Sequence, residues 1–144
     1  MKNIHTVIDI SASSERIWEV LTDFASYPQW NPFIITASGV PTVGVKLVIS
    51  VRQSPSSSMT FKPKVLIAEP KQELRWRGSL LMPGIFDGEH SFRLETIGPQ
   101  LVRFTQDEKF SGFLVPLLWG SMGAKTQKGF ESMNNALKQR AEHG

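Results

Sequence analysis

The chain has 144 residues, 20% of them charged, no cysteine and a formal net charge of +3. That length suits one domain with its own core, so residues 1–144 are read as a single unit. Without cysteine there is no disulfide framework and no thiolate chemistry, a composition that fits a reducing cytoplasm. The start Met1-Lys2-Asn3-Ile4-His5-Thr6 carries no apolar signal core. The run from Phe113 to Trp119 is too short to cross a bilayer.

Residues 4–10 alternate as a strand, with Ile4, Thr6, Ile8 and Ile10 in one phase. Ser11-Ala12-Ser13-Ser14 supplies hydroxyl caps for a helix over 14–23, in which Ile17, Val20, Leu21 and Phe24 form one stripe. Pro28 and Pro32 break the next stretch into a turn or a short helical piece. Strands are then predicted over 34–38, 45–52, 59–68 and 73–78. Residues 54–58 form a loop, and Pro63 marks an edge or a bulge. Residues 78–88 read as a loop with an apolar middle of Leu80, Leu81, Met82, Ile85 and Phe86. A loop tucked on the core is the plain interpretation, and a pocket lid or membrane-touching portal is the alternative.

The next two strands carry the main signal. In 89–96 the even positions are His90, Phe92, Leu94 and Thr96; in 102–110 they are Val102, Phe104, Gln106, Glu108 and Phe110. Period-two alternation puts His90, Gln106 and Glu108 on the same inward face as the apolar residues. A three-residue loop at Gly98-Pro99-Gln100 sets Thr96 opposite Val102, Leu94 opposite Phe104, Phe92 opposite Gln106 and His90 opposite Glu108. Polar groups in such company must pair tightly or line a cavity. Beyond Gly112, Leu118, Met122, Thr126, Phe130, Met133 and Leu137 mark a long amphipathic helix beginning near Pro116. Gly120, Gly123 and Gly129 are costly inside it, about 1 kcal/mol each against alanine. Either close packing or room for a ligand would favour them.

Strands followed by one long helix argue an α+β fold, with a sheet curled around the helix and a gap between them. Lys62, Lys64, Arg75, Arg77, Arg93, Arg103 and Lys109 fall on the outward phase with no aromatic among them. That pattern reads as a solvated outer face and not as a nucleic-acid surface. His5, His90 and His143 have no metal-ligand spacing, so no metal is expected. No dinucleotide fingerprint or nucleophile elbow calls for a cofactor.

The segments Ser14–Phe24 and Tyr27-Pro28-Gln29-Trp30-Asn31-Pro32 resemble the start of the polyketide cyclase/dehydrase-like branch of the START and birch-pollen-allergen superfamily (SRPBCC). Leu74-Arg75-Trp76-Arg77-Gly78, Gly88-Glu89-His90-Ser91-Phe92, Glu108-Lys109-Phe110-Ser111-Gly112 and Phe130-Glu131-Ser132-Met133-Asn134 agree. The resemblance implies a helix-grip fold: a seven-stranded antiparallel sheet around a long C-terminal helix, two short helices after the first strand, and a hydrophobic cavity. It also implies one of several roles, since relatives include lipid and hormone binders, aromatase/cyclases and chaperone co-factors.

The leading expectation is a binder of one small hydrophobic or amphipathic molecule: a lipid, a polyketide or an aromatic. His90, Gln106 and Glu108 would hold its polar end and Trp76, Phe92 and Met122 its apolar part. Phe61, Phe104 and Phe110 complete an aromatic concave wall, and Trp30 would cap one end. An enzyme of cyclase or dehydratase type using His90 and Glu108 as acid and base is the second expectation. A protein-interaction module with a filled cavity is the third.

Overall fold

A computed structural model describes residues 2–80 and 82–144; Met1 and Leu81 lie outside the described residues. The elements run β1 (Lys2–Ile10), α1 (Ser14–Thr22), a 3-10 turn (Phe24–Ser26), α2 (Tyr27–Trp30), β2 (Ile34–Ser38), β3 (Val48–Ser54), β4 (Ser57–Phe61), β5 (Lys64–Glu69), β6 (Glu73–Leu80), β7 (Phe86–Gly98), β8 (Leu101–Ser111) and α3 (Val115–His143). The fold is α+β, with antiparallel strands and a long C-terminal helix.

Among the described residues there are eight strands in two sheets, in place of the seven in one sheet expected. One sheet has the order β1-β8-β7-β6-β5 and the other β2-β3-β4. Pro63 makes the difference. It has no N–H to donate, so the predicted strand over 59–68 breaks there into β4 and β5, which belong to different sheets. Pro63 still accepts a bond from the Leu47 N–H at 2.8 Å, and Val65 donates to Val45 at 2.9 Å, so the broken segment stitches the two sheets together.

The register of β7 and β8 is the expected one: Thr96 opposite Val102, Leu94 opposite Phe104, Phe92 opposite Gln106, His90 opposite Glu108. The route to it differs. The turn is only Pro99-Gln100, with Gly98 paired to Leu101, and a bulge at Ile97 restores even-to-even pairing. The two-residue turn alone would have shifted the pairing by one and set inward residues opposite outward ones.

The first helix starts as its cap predicts, with the Arg16 N–H donating to the Ser13 hydroxyl at 3.1 Å, and it buries Ile17, Val20 and Leu21. Helix α3 buries Phe130, Met133, Leu137 and Ala141 in the same core. Burial of each such apolar side chain contributes about 1.5–3 kcal/mol before entropic costs. Two of the three helix glycines resolve as packing. A Cβ at Gly129 would lie 2.3 Å from the Phe33 ring, and one at Gly123 would lie 3.0 Å from the Trp119 indole. Gly120 meets nothing within 4 Å.

The four outward arginines are matched by carboxylates. Arg75 bonds Glu73 and Glu89, Arg77 bonds Asp87, Arg93 bonds Asp107, and Arg103 bonds Asp9. These are cross-strand or near-neighbour pairs on a solvated face, each worth little individually.

Candidate functional site

A cavity of about 400 Å³ lies between the concave sheet and α3. Its position follows from the rows of residues across β6 and β7. Trp76 pairs with His90, Gly78 with Gly88, and Leu80 with Phe86. The middle row has no side chains, so the inner face is dented between two rows of large ones, and both glycines line the cavity. Phe33, Ile49, Phe61 and Phe110 supply apolar wall, and α3 contributes Ser121, Met122, Lys125 and Thr126. The loop between β6 and β7 closes back on the start of α3. Phe113 donates to the Gly84 carbonyl at 3.3 Å and Leu114 to the Ile85 carbonyl at 3.0 Å. Gly112 permits that approach: its φ is +118°, and a Cβ there would sit 2.4 Å from the Ile85 oxygen.

The polar end of the cavity is built by His90 and Glu108. His90 Nδ1 stands 3.3 Å from Glu108 Oε1. The other Glu108 oxygen hangs over Gly88, where a Cβ would lie only 2.2 Å away. Gly88 therefore makes the space in which this carboxylate sits. The imidazole stacks on Phe92 (centroids 4.5 Å apart) and on Phe130 (4.8 Å), which hold its plane.

Behind His90 runs a buried polar chain whose direction is set by backbone carbonyls. The Thr6 hydroxyl donates to the Gln106 carbonyl at 2.9 Å, so it accepts from Asn134 Nδ2, also at 2.9 Å. Asn134 Oδ1 then accepts from Gln106 Nε2 at 2.7 Å, and that same nitrogen reaches the Phe130 carbonyl at 3.4 Å. A flipped Gln106 would set oxygen against oxygen at both places. Its Oε1 is therefore turned to His90, where Nε2 donates to it at 2.9 Å. In the neutral ring this leaves Nδ1 as the bare nitrogen, on the Glu108 side. The chain belongs to the inner face throughout and leaves Gln106 fully buried.

A second polar cluster anchors the loop from the outer side. Asp87 accepts from the Ser79 hydroxyl at 2.7 Å, from the Gly84 N–H and from Arg77. The Ser79 hydrogen bond, helped by Gly84 and Arg77, holds the Asp87 carboxyl below the usual carboxylate range although burial pushes the other way.

Of the residues singled out from the sequence, Phe61, Trp76, His90, Glu108, Phe110 and Met122 line the cavity. Four do not. Phe92, Phe104 and Gln106 are fully buried beneath α3, because Phe130, Met133 and Asn134 fill that end of the concave face. Gln106 reaches the cavity only through His90. Trp30 packs edge-on against Tyr27, ring centroids 5.2 Å apart, and does not cap the cavity. The sequence reading also missed Gly78, Gly88, Thr6 and Asn134. The glycines could have been found from the inward phase of their strands, and Asn134 from its spacing, four residues after Phe130 and three before Leu137, which puts a polar side chain on the buried helix stripe. The loop expected over 78–88 is shorter, since Leu80 ends β6 and Phe86 begins β7; Leu80, Ile85 and Phe86 turn toward the core and Met82 is exposed, while Leu81 is outside the described residues. The described residues contain no group of three or more His, Cys, Asp or Glu arranged to hold a metal. No helix among them is long and apolar enough to cross a membrane.

Residues 1–142 match the family described as polyketide cyclase / dehydrase and lipid transport. The chain belongs to this family. It thereby falls in the SRPBCC superfamily that the sequence motifs resemble. A START superfamily protein from Mycobacterium smegmatis has the same fold, with 21% identity, a TM-score of 0.72 and 97% of each chain covered. A Mesorhizobium loti protein superposes with 22% identity and a TM-score of 0.75 over 98% of this chain and 97% of its own. The Zhui aromatase/cyclase of a Streptomyces species superposes with 15% identity and a TM-score of 0.76, over 98% of this chain and 93% of its own. No curated protein matches the chain. At these identities the structural neighbours establish the fold alone.

Proposed function

We propose that this family member binds one small hydrophobic or amphipathic molecule in the cavity between the sheet and α3. The observation that carries the reading is the cavity itself: about 400 Å³, with aromatic and aliphatic walls, a polar part of the lining that includes Arg52, Gln53, Ser57 and Lys125, and His90 and Glu108 together at one place in it. Small-molecule sites combine apolar walls with placed polar groups and have volumes from about 300 Å³ upward. The family's lipid-transport description supports the same reading. Native mass spectrometry of the purified protein, with thermal shifts against a panel of lipids, polycyclic phenols and fatty alcohols, is the test. A retained ligand or a saturable shift supports the reading. No adduct and no shift across the panel would overturn it.

A second reading, a cyclase- or dehydratase-type enzyme, draws support from the oriented imidazole. A His90 held through Nε2 presents Nδ1 to the cavity as a base beside a carboxylate, the arrangement general acid–base catalysis needs. The Zhui neighbour is named an aromatase/cyclase. Turnover of a poly-β-keto substrate that disappears in both His90→Gln and Glu108→Gln, with fold and ligand binding retained, is the expected result; unchanged turnover in either would exclude that assignment.

A further inference from the structure

We infer that the molecule bound in the cavity presents a hydrogen-bond donor, a hydroxyl, to the His90–Glu108 pair. This rests on the binding reading above and names the chemistry of its ligand. The inference follows from the polarity of the buried chain. Two backbone carbonyls, those of Gln106 and Phe130, can only accept. They orient Thr6, Asn134 and the Gln106 carboxamide in turn, and the carboxamide oxygen holds a ring proton of His90 at Nε2; in the neutral ring that leaves Nδ1 bare. Nδ1 and the Glu108 carboxylate are then two acceptors 3.3 Å apart at a cavity wall. Neither has a hydrogen-bond donor from the described residues.

Two adjacent acceptors repel each other until a proton comes between or beside them. A ligand hydroxyl brings one: its O–H donates to Nδ1 or to the carboxylate. An ether or ester oxygen brings only lone pairs and makes the contact worse. A carboxylate adds a second negative charge beside Glu108. Both groups are largely buried, His90 at 5% and Glu108 at 17% side-chain exposure, which raises the cost of a mismatched group. Alcohols and phenols are accordingly favoured over their O-methylated counterparts at this end of the cavity.

Two measurements test this. The first is a long-range ¹H–¹⁵N spectrum of histidine-labelled protein above the imidazole titration, with His90 assigned by loss of its signals in His90→Gln. The expected pattern is a protonated Nε2 and a bare Nδ1; a ring protonated at Nδ1 alone, or at both nitrogens, overturns the inference. The second is titration with two matched pairs, 2-naphthol against 2-methoxynaphthalene and dodecanol against methyl dodecyl ether. The hydroxyl compound of a pair should bind about tenfold tighter, and Glu108→Met should weaken the alcohol but not the ether, so that the gap within a pair closes. Equal affinity of alcohol and ether sinks the inference and leaves the cavity reading standing. Failure of all four to bind removes the cavity reading as well.

Discussion

His90 is held by neighbours that never touch the cavity. Thr6, Gln106 and Asn134 are buried, and each satisfies the next. Removing one member leaves partners unsatisfied, at a cost of about 1–3 kcal/mol each. Asn134→Leu should therefore destabilise the fold by roughly that amount and free the Gln106 amide to turn, measured by urea unfolding and by the His90 ¹⁵N pattern. Asp87 makes a different prediction. Its folded-state pKa is depressed, with the Ser79 hydrogen bond as the leading cause. The stability it contributes is present above the unfolded value of about 4 and is lost as pH falls through the lower folded value. Asp87→Asn should lower stability at neutral pH and flatten that acid limb, as read by denaturant unfolding across pH 2 to 7 (about the range that brackets both values). An unchanged acid limb would show that Asp87 does not anchor the loop in this way.

At the scale of the element, α3 sets helix propensity against packing. Gly129 and Gly120 carry the same intrinsic penalty of about 1 kcal/mol relative to alanine. Their surroundings differ. The Phe33 ring occupies the space a Cβ would need at Gly129, whereas Gly120 faces open space. Gly129→Ala should destabilise by about 1–3 kcal/mol through overpacking. Gly120→Ala should stabilise by up to about 1 kcal/mol. Thermal unfolding of the two variants side by side checks both signs. The β7–β8 hairpin shows the same competition between local and tertiary preferences. Its even-numbered inward face was legible from alternation alone; the pairing of His90 with Glu108 needed a three-residue loop as well, and the structure reaches the same register by another route. The bulge at Ile97 was not, because the sequence Gly98-Pro99-Gln100 is compatible with more than one loop length and only the shared core face selects among them.

For the molecule as a whole, the cavity borders a row that two strands leave without side chains, with Glu108 over one glycine and Pro63 against the other. Gly78 and Gly88 sit side by side on the concave face, and α3 crosses without filling the dent. Ligand binding should stabilise the folded state by mass action, by about 2.7 kcal/mol at a free concentration one hundred times Kd. Enlarging Met122, which lines the cavity from α3, should remove that gain: Met122→Trp is expected to abolish the ligand-induced rise in Tm while keeping a cooperative transition. A full ligand shift in this variant would place the molecule elsewhere. The outward face behaves differently. Its arginines are matched by carboxylates on neighbouring strands, so much of the positive charge counted in the sequence is locally neutralised.

The alternation of β7 and β8, the stripe of α3 and the α1 cap were determined by the sequence, because each depends on residues close together along the chain or joined by one short turn. So was the membership of His90 and Glu108 in one inward face. Tertiary structure decided the rest. The break at Pro63 became a change of sheet only because Leu47 and Val45 were there to bond Pro63 and Val65. Phe92, Phe104 and Gln106 share the inward phase of His90, yet α3 covers them and leaves His90 at the border of the cavity. Strand periodicity specifies which way a side chain points; what meets it there, a helix or an empty space, is set by residues from distant parts of the chain.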